Sequence, residues 1–260
     1  MMDSQMDTEG QAQLMTCYNR TIRRLLPLLL LAAAALSLGG CMYPNNQLKE
    51  NQAPPRDAVR NVQAAIDDYY KETGLLPIKN STMETPRYEK FAIDFSQLKQ
   101  KGFLSEIPPA AFENGGHYYF IVIDEETAPR VKLMDLITVQ YINDLNQTIR
   151  EYMDKHQGLV PKGEQVYPGF YRINYKQMNT KEKTLRSVYS GQKIETMIDD
   201  NGNAYVDYAF DLMQAIQKSG LTSFQPETDL RALLVDNTLY VPVKSVPYRY
   251  VNGEPVALAG

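Results

Sequence analysis

Tryptophan is absent from this 260-residue chain, and cysteine and histidine occur twice each. With His117 and His156 as the only imidazoles and Cys17 and Cys41 as the only thiols, a zinc site would need mostly carboxylate ligands. Neither a G-x-S-x-G elbow nor an H-E-x-x-H helix occurs, so acyl transfer and metal hydrolysis lack their usual signatures. The expectation is a protein that is not an enzyme and uses no metal or dissociable cofactor. Basic side chains, 27 against 31 acidic ones, form no stripe that would neutralise a phosphate backbone, so nucleic acid is not an expected partner. What remains is an ordinary globular composition, 43% hydrophobic and 22% charged, with tyrosine abundant at 18 residues.

The apolar stretch from Leu25 to Leu38 follows Arg20, Arg23 and Arg24, contains Pro27 and ends at Gly39, Gly40 and Cys41. A membrane-spanning helix needs about 20 apolar residues, and this run is shorter. Its order, basic then apolar then small, is that of an export signal. Asp3, Asp7 and Glu9 put acid where such a signal wants base, so Met15 is the expected true start. Cys17 precedes the expected cleavage point, which leaves Cys41 alone in the mature chain and allows no internal disulfide.

Leu38-Gly39-Gly40-Cys41 resembles the lipobox of bacterial lipoproteins. The resemblance implies that Cys41 receives diacylglycerol and an acyl chain and becomes the mature N-terminus. Two chains at about 0.8 kcal/mol per buried methylene would anchor it stably. The expected location is the outer face of the cytoplasmic membrane, lipid-anchored. Residues 41–56 then read as a lipidated tether, because "MYPNNQLKENQAPPR" is polar and proline-rich.

Beyond the tether the chain repeats itself. "IDDYYKETGLLP" at 66–77 returns as "IREYMDKHQGLVP" at 149–161, and "FAIDFSQLK" at 91–99 returns as "YRINYKQMN" at 171–179. "IDEETAPRVKLMDL" at 123–136 returns as "IDDNGNAYVDYAFDL" at 198–212, and a shortened third copy is echoed by "QKSGL" at 217–221 and "YRYVNGEPVAL" at 248–258. The expected fold is α+β: tandem helix-plus-hairpin units spanning 57–136, 137–212 and a shortened 213–260, behind a signal at 1–40. "HYYFIVID" at 117–124, "DNG" at 200–202 and "VNGEP" at 251–255 supply strand and turn chemistry. Leu136, Val139, Ile142, Leu145 and Ile149 predict one long helix over 133–156.

One unit is loosely similar to the globular part of type II pseudopilins, through "YYKETGLLP", "LKQKGFLSEIP" and "GGHYYFI". The lipobox stands where that family has a prepilin peptidase site, so no assembly role is implied. As a whole the chain resembles a lipoprotein family of bacilli, sometimes described as substrate-binding-like for transporters.

Tyr69, Tyr70, Tyr118, Tyr119, Tyr171, Tyr175, Tyr205 and Tyr208 lie in or beside repeated elements. They could line a binding groove or form a half-buried framework between helix and sheet. Asp199, Asn201 and Asn203 alternate like a calcium loop, but Ala204 and Phe210 stand where it needs Gly and Glu, so a plain hairpin turn is expected. Asp67-Asp68 and Glu125-Glu126 are adjacent pairs whose members point apart, which makes them solvated faces. The expected function is a non-catalytic module that engages an envelope protein or the cell wall. The alternative is a solute-binding lipoprotein of a transporter, which predicts a deep cleft between the two main units.

Overall fold

The computed structural model describes residues 55–259. The signal, the lipobox and Cys41 lie outside the described residues. Of the tether, Pro55 and Arg56 are described, and they open a helix.

Helix α1 (Pro55–Thr73) begins on a proline, which the first helical position tolerates because its missing N–H would be unpaired anyway. It buries Ala58, Val59, Val62, Ala65, Ile66 and Tyr69, one stripe at helical spacing. The short helix α2 (Phe95–Gln100) starts at Asp94, whose carboxylate accepts from the Ser96 and Gln97 amides. Strands β1 (Tyr118–Ile123) and β2 (Arg130–Asp135) form an antiparallel hairpin, with Phe120 opposite Leu133 and Val122 opposite Val131. Helix α3 (Leu136–Lys155) leaves the end of β2 directly.

A second sheet follows, made of β3 (Lys162–Tyr167), β4 (Phe170–Ile173), β5 (Leu185–Arg186), β6 (Lys193–Asp199) and β7 (Ala204–Asp207). Helix α4 (Ala209–Ser219), helix α5 (Arg231–Asn237) and the hairpin of β8 (Tyr248–Val251) with β9 (Glu254–Ala257) complete the α+β chain. All named strand pairs are antiparallel. In three places a helix packs against the second strand of a following hairpin: α1 on β2, α3 on β7, α4 on β9.

Several matched sequence segments adopt matched local geometry. Asp94 donates its amide to the Pro77 carbonyl at 2.7 Å, and Asn174 donates its own to Pro161 at 2.9 Å. The third matched segment needs a different register from the one its letters suggest. Asp135 ends β2 and caps α3 through the amides of Ile137 and Thr138, whereas Asp211 lies inside α4. Asp207, at the end of β7, accepts from the Ala209 amide and so holds the place corresponding to Asp135. The expected helix over 133–156 loses its first three residues to β2, because Leu133 to Asp135 pair with β1.

The β1–β2 hairpin is buried on both faces, which explains its nearly continuous apolar run. Phe120, Val122, Val131 and Leu133 face the α1 cluster. Ile121, Ile123 and Met134 face Val235 of α5 and Val241 and Val243 from the segment between α5 and β8. That segment also pairs by backbone: the Leu133 amide donates to Leu239 at 2.8 Å, Val241 donates to Leu133 at 3.1 Å, and Val206 donates to Lys244 at 2.8 Å. Lys132 donates to the carbonyls of Val235 (2.6 Å) and Thr238, at the C-terminal end of α5. Glu89 accepts from both the amide and the ammonium of Lys244 at 3.0 and 2.9 Å. The chain from Gln52 onward is accordingly one compact unit.

Candidate functional site

Between residues 83–91 and the β1–β2 turn lies a groove of about 570 Å³. Its lining includes Phe91, Val122 and Ile123, and its rim carries Arg87 and Lys90 on one side and Glu125 and Glu126 on the other. Met83, on the same rim, is 92% exposed. Two rim residues hold left-handed backbone without being glycine: Phe91 at φ 57° and Asp124 at φ 53°. An aspartate visits that region readily, but for an aromatic residue it costs about 1–2 kcal/mol. Surrounding bonds hold Phe91 there, since its amide donates to Ser81 Oγ at 3.0 Å and its carbonyl accepts from Val122 at 3.0 Å. Non-glycine strain of this kind concentrates at binding sites.

The groove's charges are only partly consumed internally. Asp124 accepts from Arg130 Nε at 2.9 Å, and Arg130 in turn reaches Asp236 at 2.9 Å. Arg87 approaches Asp124 at 3.8 Å, a loose contact between partly solvated groups that contributes little. Glu84 has its carboxyl held below the usual carboxylate range by a hydrogen bond from its own backbone amide, and next by the Thr82 side chain. At neutral pH the groove presents both signs of charge.

The eight tyrosines do not assemble into one exposed face. Tyr69 and Tyr208 are buried, and only Tyr70 is exposed. Tyr118, Tyr119, Tyr171, Tyr175 and Tyr205 are half-buried. Tyr69 packs edge-on to Phe103, Tyr119 to Phe112, Tyr205 to Phe170 and Tyr208 to Tyr189. Burial pushes the Tyr205 hydroxyl up to about 12, with Asp199 adding to the shift. None of the eight tyrosines lines the large groove.

The calcium-like loop is a hairpin turn. One Asp199 oxygen accepts from the amides of Asn201 and Asn203 at 2.9 and 2.8 Å, and the other accepts from the Asn203 side chain and the Tyr205 hydroxyl. Among the described residues no group of three potential ligands is placed to hold a metal. His156 stacks on Tyr152 at 4.0 Å, with Nδ1 2.7 Å from the Tyr152 carbonyl, and serves the end of α3. His117 is exposed, as are Asp67, Asp68 and Glu126, while Glu125 is partly covered.

Two Ser-x-x-Lys spacings, Ser96 to Lys99 and Ser190 to Lys193, also occur in the sequence. Neither builds a nucleophile. Lys193 is held by Glu182 and Glu195 at 3.1 and 3.2 Å, and those carboxylates raise its pKa, the reverse of what a general base needs. Ser96 and Lys99 are exposed on α2. The groove residues themselves were missed by sequence reasoning. Nothing local distinguishes them, because left-handed Phe91 and the opposition of Arg87 to Glu125 arise only once the hairpin is in place.

No helix of the described residues is long and apolar enough to cross a membrane. No curated protein and no solved structure matches the chain. Neither the pseudopilin likeness nor the likeness to transporter-associated lipoproteins therefore gains support from a comparison. Residues 55–135, which run from α1 to the end of β2 and contain the whole groove, match the family model described as the YphF family N-terminal domain.

Proposed function

We propose that the protein is a lipoprotein anchored through Cys41 on the outer face of the cytoplasmic membrane, and that its folded unit engages another envelope protein or the wall without catalysing a reaction. The division into two full units and a shortened third, descended from one repeated helix-plus-hairpin element, belongs to the same reading. The observation that supports it best is the groove. A methionine standing in solvent and rims of opposite charge suit a protein segment carrying apolar and charged side chains.

The alternative, solute capture for a transporter, draws on the groove's volume. About 570 Å³ falls within the range of small-molecule sites. The groove lies within the first unit, however, and not between the two main units as a capture cleft was expected to.

Because the chain has no tryptophan, Met83→Trp would place a single fluorophore on the groove rim. Titration with an envelope extract, split by dialysis, separates the two readings. A spectral shift from the retained fraction alone supports a protein partner. A shift from the dialysable fraction supports solute capture, and silence from both removes the groove from the account.

A further inference from the structure

Residues 176–193 concentrate charge in a way the overall balance hides. Lys176, Lys181, Lys183, Arg186 and Lys193 stand against Glu182 alone, in a chain whose net charge is −4. The structure draws several of them together. Arg186 and Lys193 are directly opposite across the β5–β6 ladder, a like-charge pairing that destabilises a sheet unless something compensates it. Lys193 is compensated by Glu182 and Glu195, and Arg172 approaches Glu195 at 3.5 Å. Glu182 is thereby consumed. Lys181, Lys183 and Arg186 are exposed and have no carboxylate partner among the described residues, although Arg186 donates to the Gly191 carbonyl at 3.1 Å.

Lys181 and Lys183 also line a small cavity of about 50 Å³ with Tyr141, Thr148, Tyr175 and Thr180. The Tyr141 hydroxyl lies 3.4 Å from that of Tyr175 and 3.3 Å from the Lys183 carbonyl. The nearby acid Asp144 accepts from Gln140 at 2.6 Å. At about 50 Å³ the cavity has room for a few waters, the size class of a phosphate group. Its two lysines suit an oxyanion, whereas Leu145 is apolar and the Thr148 hydroxyl already donates to the Asp144 carbonyl at 3.0 Å.

We propose that Lys181, Lys183 and Arg186 form the face by which the folded unit lies on an anionic bilayer, with the Tyr141–Tyr175 cavity receiving a headgroup phosphate. The inference rests on the anchored reading only for biological setting, since a tethered unit is held within reach of headgroups. Its test can be run without the anchor.

The chain from Gln52 onward is a compact unit with its own core, so it can be assayed alone. Sedimentation with phosphatidylglycerol-containing vesicles should carry the protein down, and vesicles of phosphatidylcholine alone should not. Added salt should weaken the association. Each basic residue at an anionic surface is worth about fivefold in affinity, so Lys181→Ala, Lys183→Ala and Arg186→Ala together should weaken it on the order of a hundredfold. Replacing both lysines by arginine should leave binding intact, which separates charge from misfolding. Failure of the folded wild-type unit to bind either vesicle overturns the proposal, as does a triple variant that binds equally well. Binding of inorganic phosphate without vesicle association would reduce the site to a small-anion pocket and also overturns it. None of these outcomes bears on whether Cys41 is acylated, which mass spectrometry of the membrane-extracted full chain reads separately.

Discussion

Removing one hydroxyl, by Tyr248→Phe, probes how the C-terminal hairpin is joined to the rest of the fold. Tyr248 is fully buried. Its hydroxyl donates to Asp207 Oδ1 at 3.0 Å and accepts from the Tyr208 amide at 3.1 Å, so it bridges β8 to the start of α4. Phenylalanine keeps the ring and leaves no cavity larger than the missing oxygen. The loss therefore reports the polar contacts. A buried amide left unpaired costs about 1–3 kcal/mol, and a hydrogen bond to a charged group contributes about 1.5–3 kcal/mol. Asp207 retains donors in the Tyr167 hydroxyl at 3.2 Å and the Ala209 amide at 3.1 Å, which offsets part of the second term. The net expectation is a loss of about 2–4 kcal/mol. In a body of this size each kcal/mol lowers Tm by about 2–4 °C, giving a fall of about 4–16 °C by thermal unfolding, with the urea m-value unchanged. Tyr167→Phe, at a half-buried position with the same acceptor, should cost about 1 kcal/mol because no backbone donor is orphaned. A fall below about 1 °C for Tyr248→Phe, or equal losses for the two variants, would refute the reasoning.

Two further perturbations test the packing elsewhere. Gly116→Ala would drive a Cβ into the Ala110 carbonyl, a backbone group that cannot swing away, so the variant should express poorly or melt well below wild type. A wild-type melting curve would remove that constraint. Asp211 is buried in α4, with one carboxyl oxygen accepting from Ser187 Oγ at 2.8 Å and the other without a partner among the described residues. Burial raises its pKa, so the folded state binds the proton more tightly than the unfolded chain does. That contribution is fully present below the unfolded value near about 4 and is lost as pH rises through the raised folded value. Asp211→Asn should therefore raise Tm at neutral pH, with the gain shrinking toward pH 4. A gain that is constant across pH would contradict this assignment.

The hairpins were legible because their signals are local. Asn252-Gly253 turns with both residues at positive φ, as a two-residue Asn-Gly hairpin turn requires, and the β-branched and aromatic run at 117–124 became β1. The long helix was legible from its spacing. Its true start was also written in the sequence, since Asp135 with Thr138 three residues on is a cap signature, but the apolar Leu133 and Met134 extended the helical pattern past it. The joining of the two halves was not legible. Val241, Val243 and Lys244 sit in a stretch without periodicity, and their partners Ile121, Leu133, Val206 and Glu89 are remote in sequence. The part each tyrosine plays was not legible for a related reason. Whether a tyrosine lines a groove or fills a seam depends on what packs over it, and Tyr118 meets Tyr240 from that same unpredicted segment. The groove depends on Phe91 being held in a left-handed conformation by Ser81 and Val122, a pairing that composition and spacing do not reveal.

Whether an anchored unit meets an envelope partner is read by in-cell crosslinking followed by mass spectrometry on the full chain, with Cys41→Ala as the comparison. The expected result is a protein or wall partner crosslinked to groove residues such as Arg87 or Lys90 and lost when Cys41 is replaced. Equal crosslinking with and without Cys41, or a wild-type chain that recovers no protein or wall component at the groove, would contradict it.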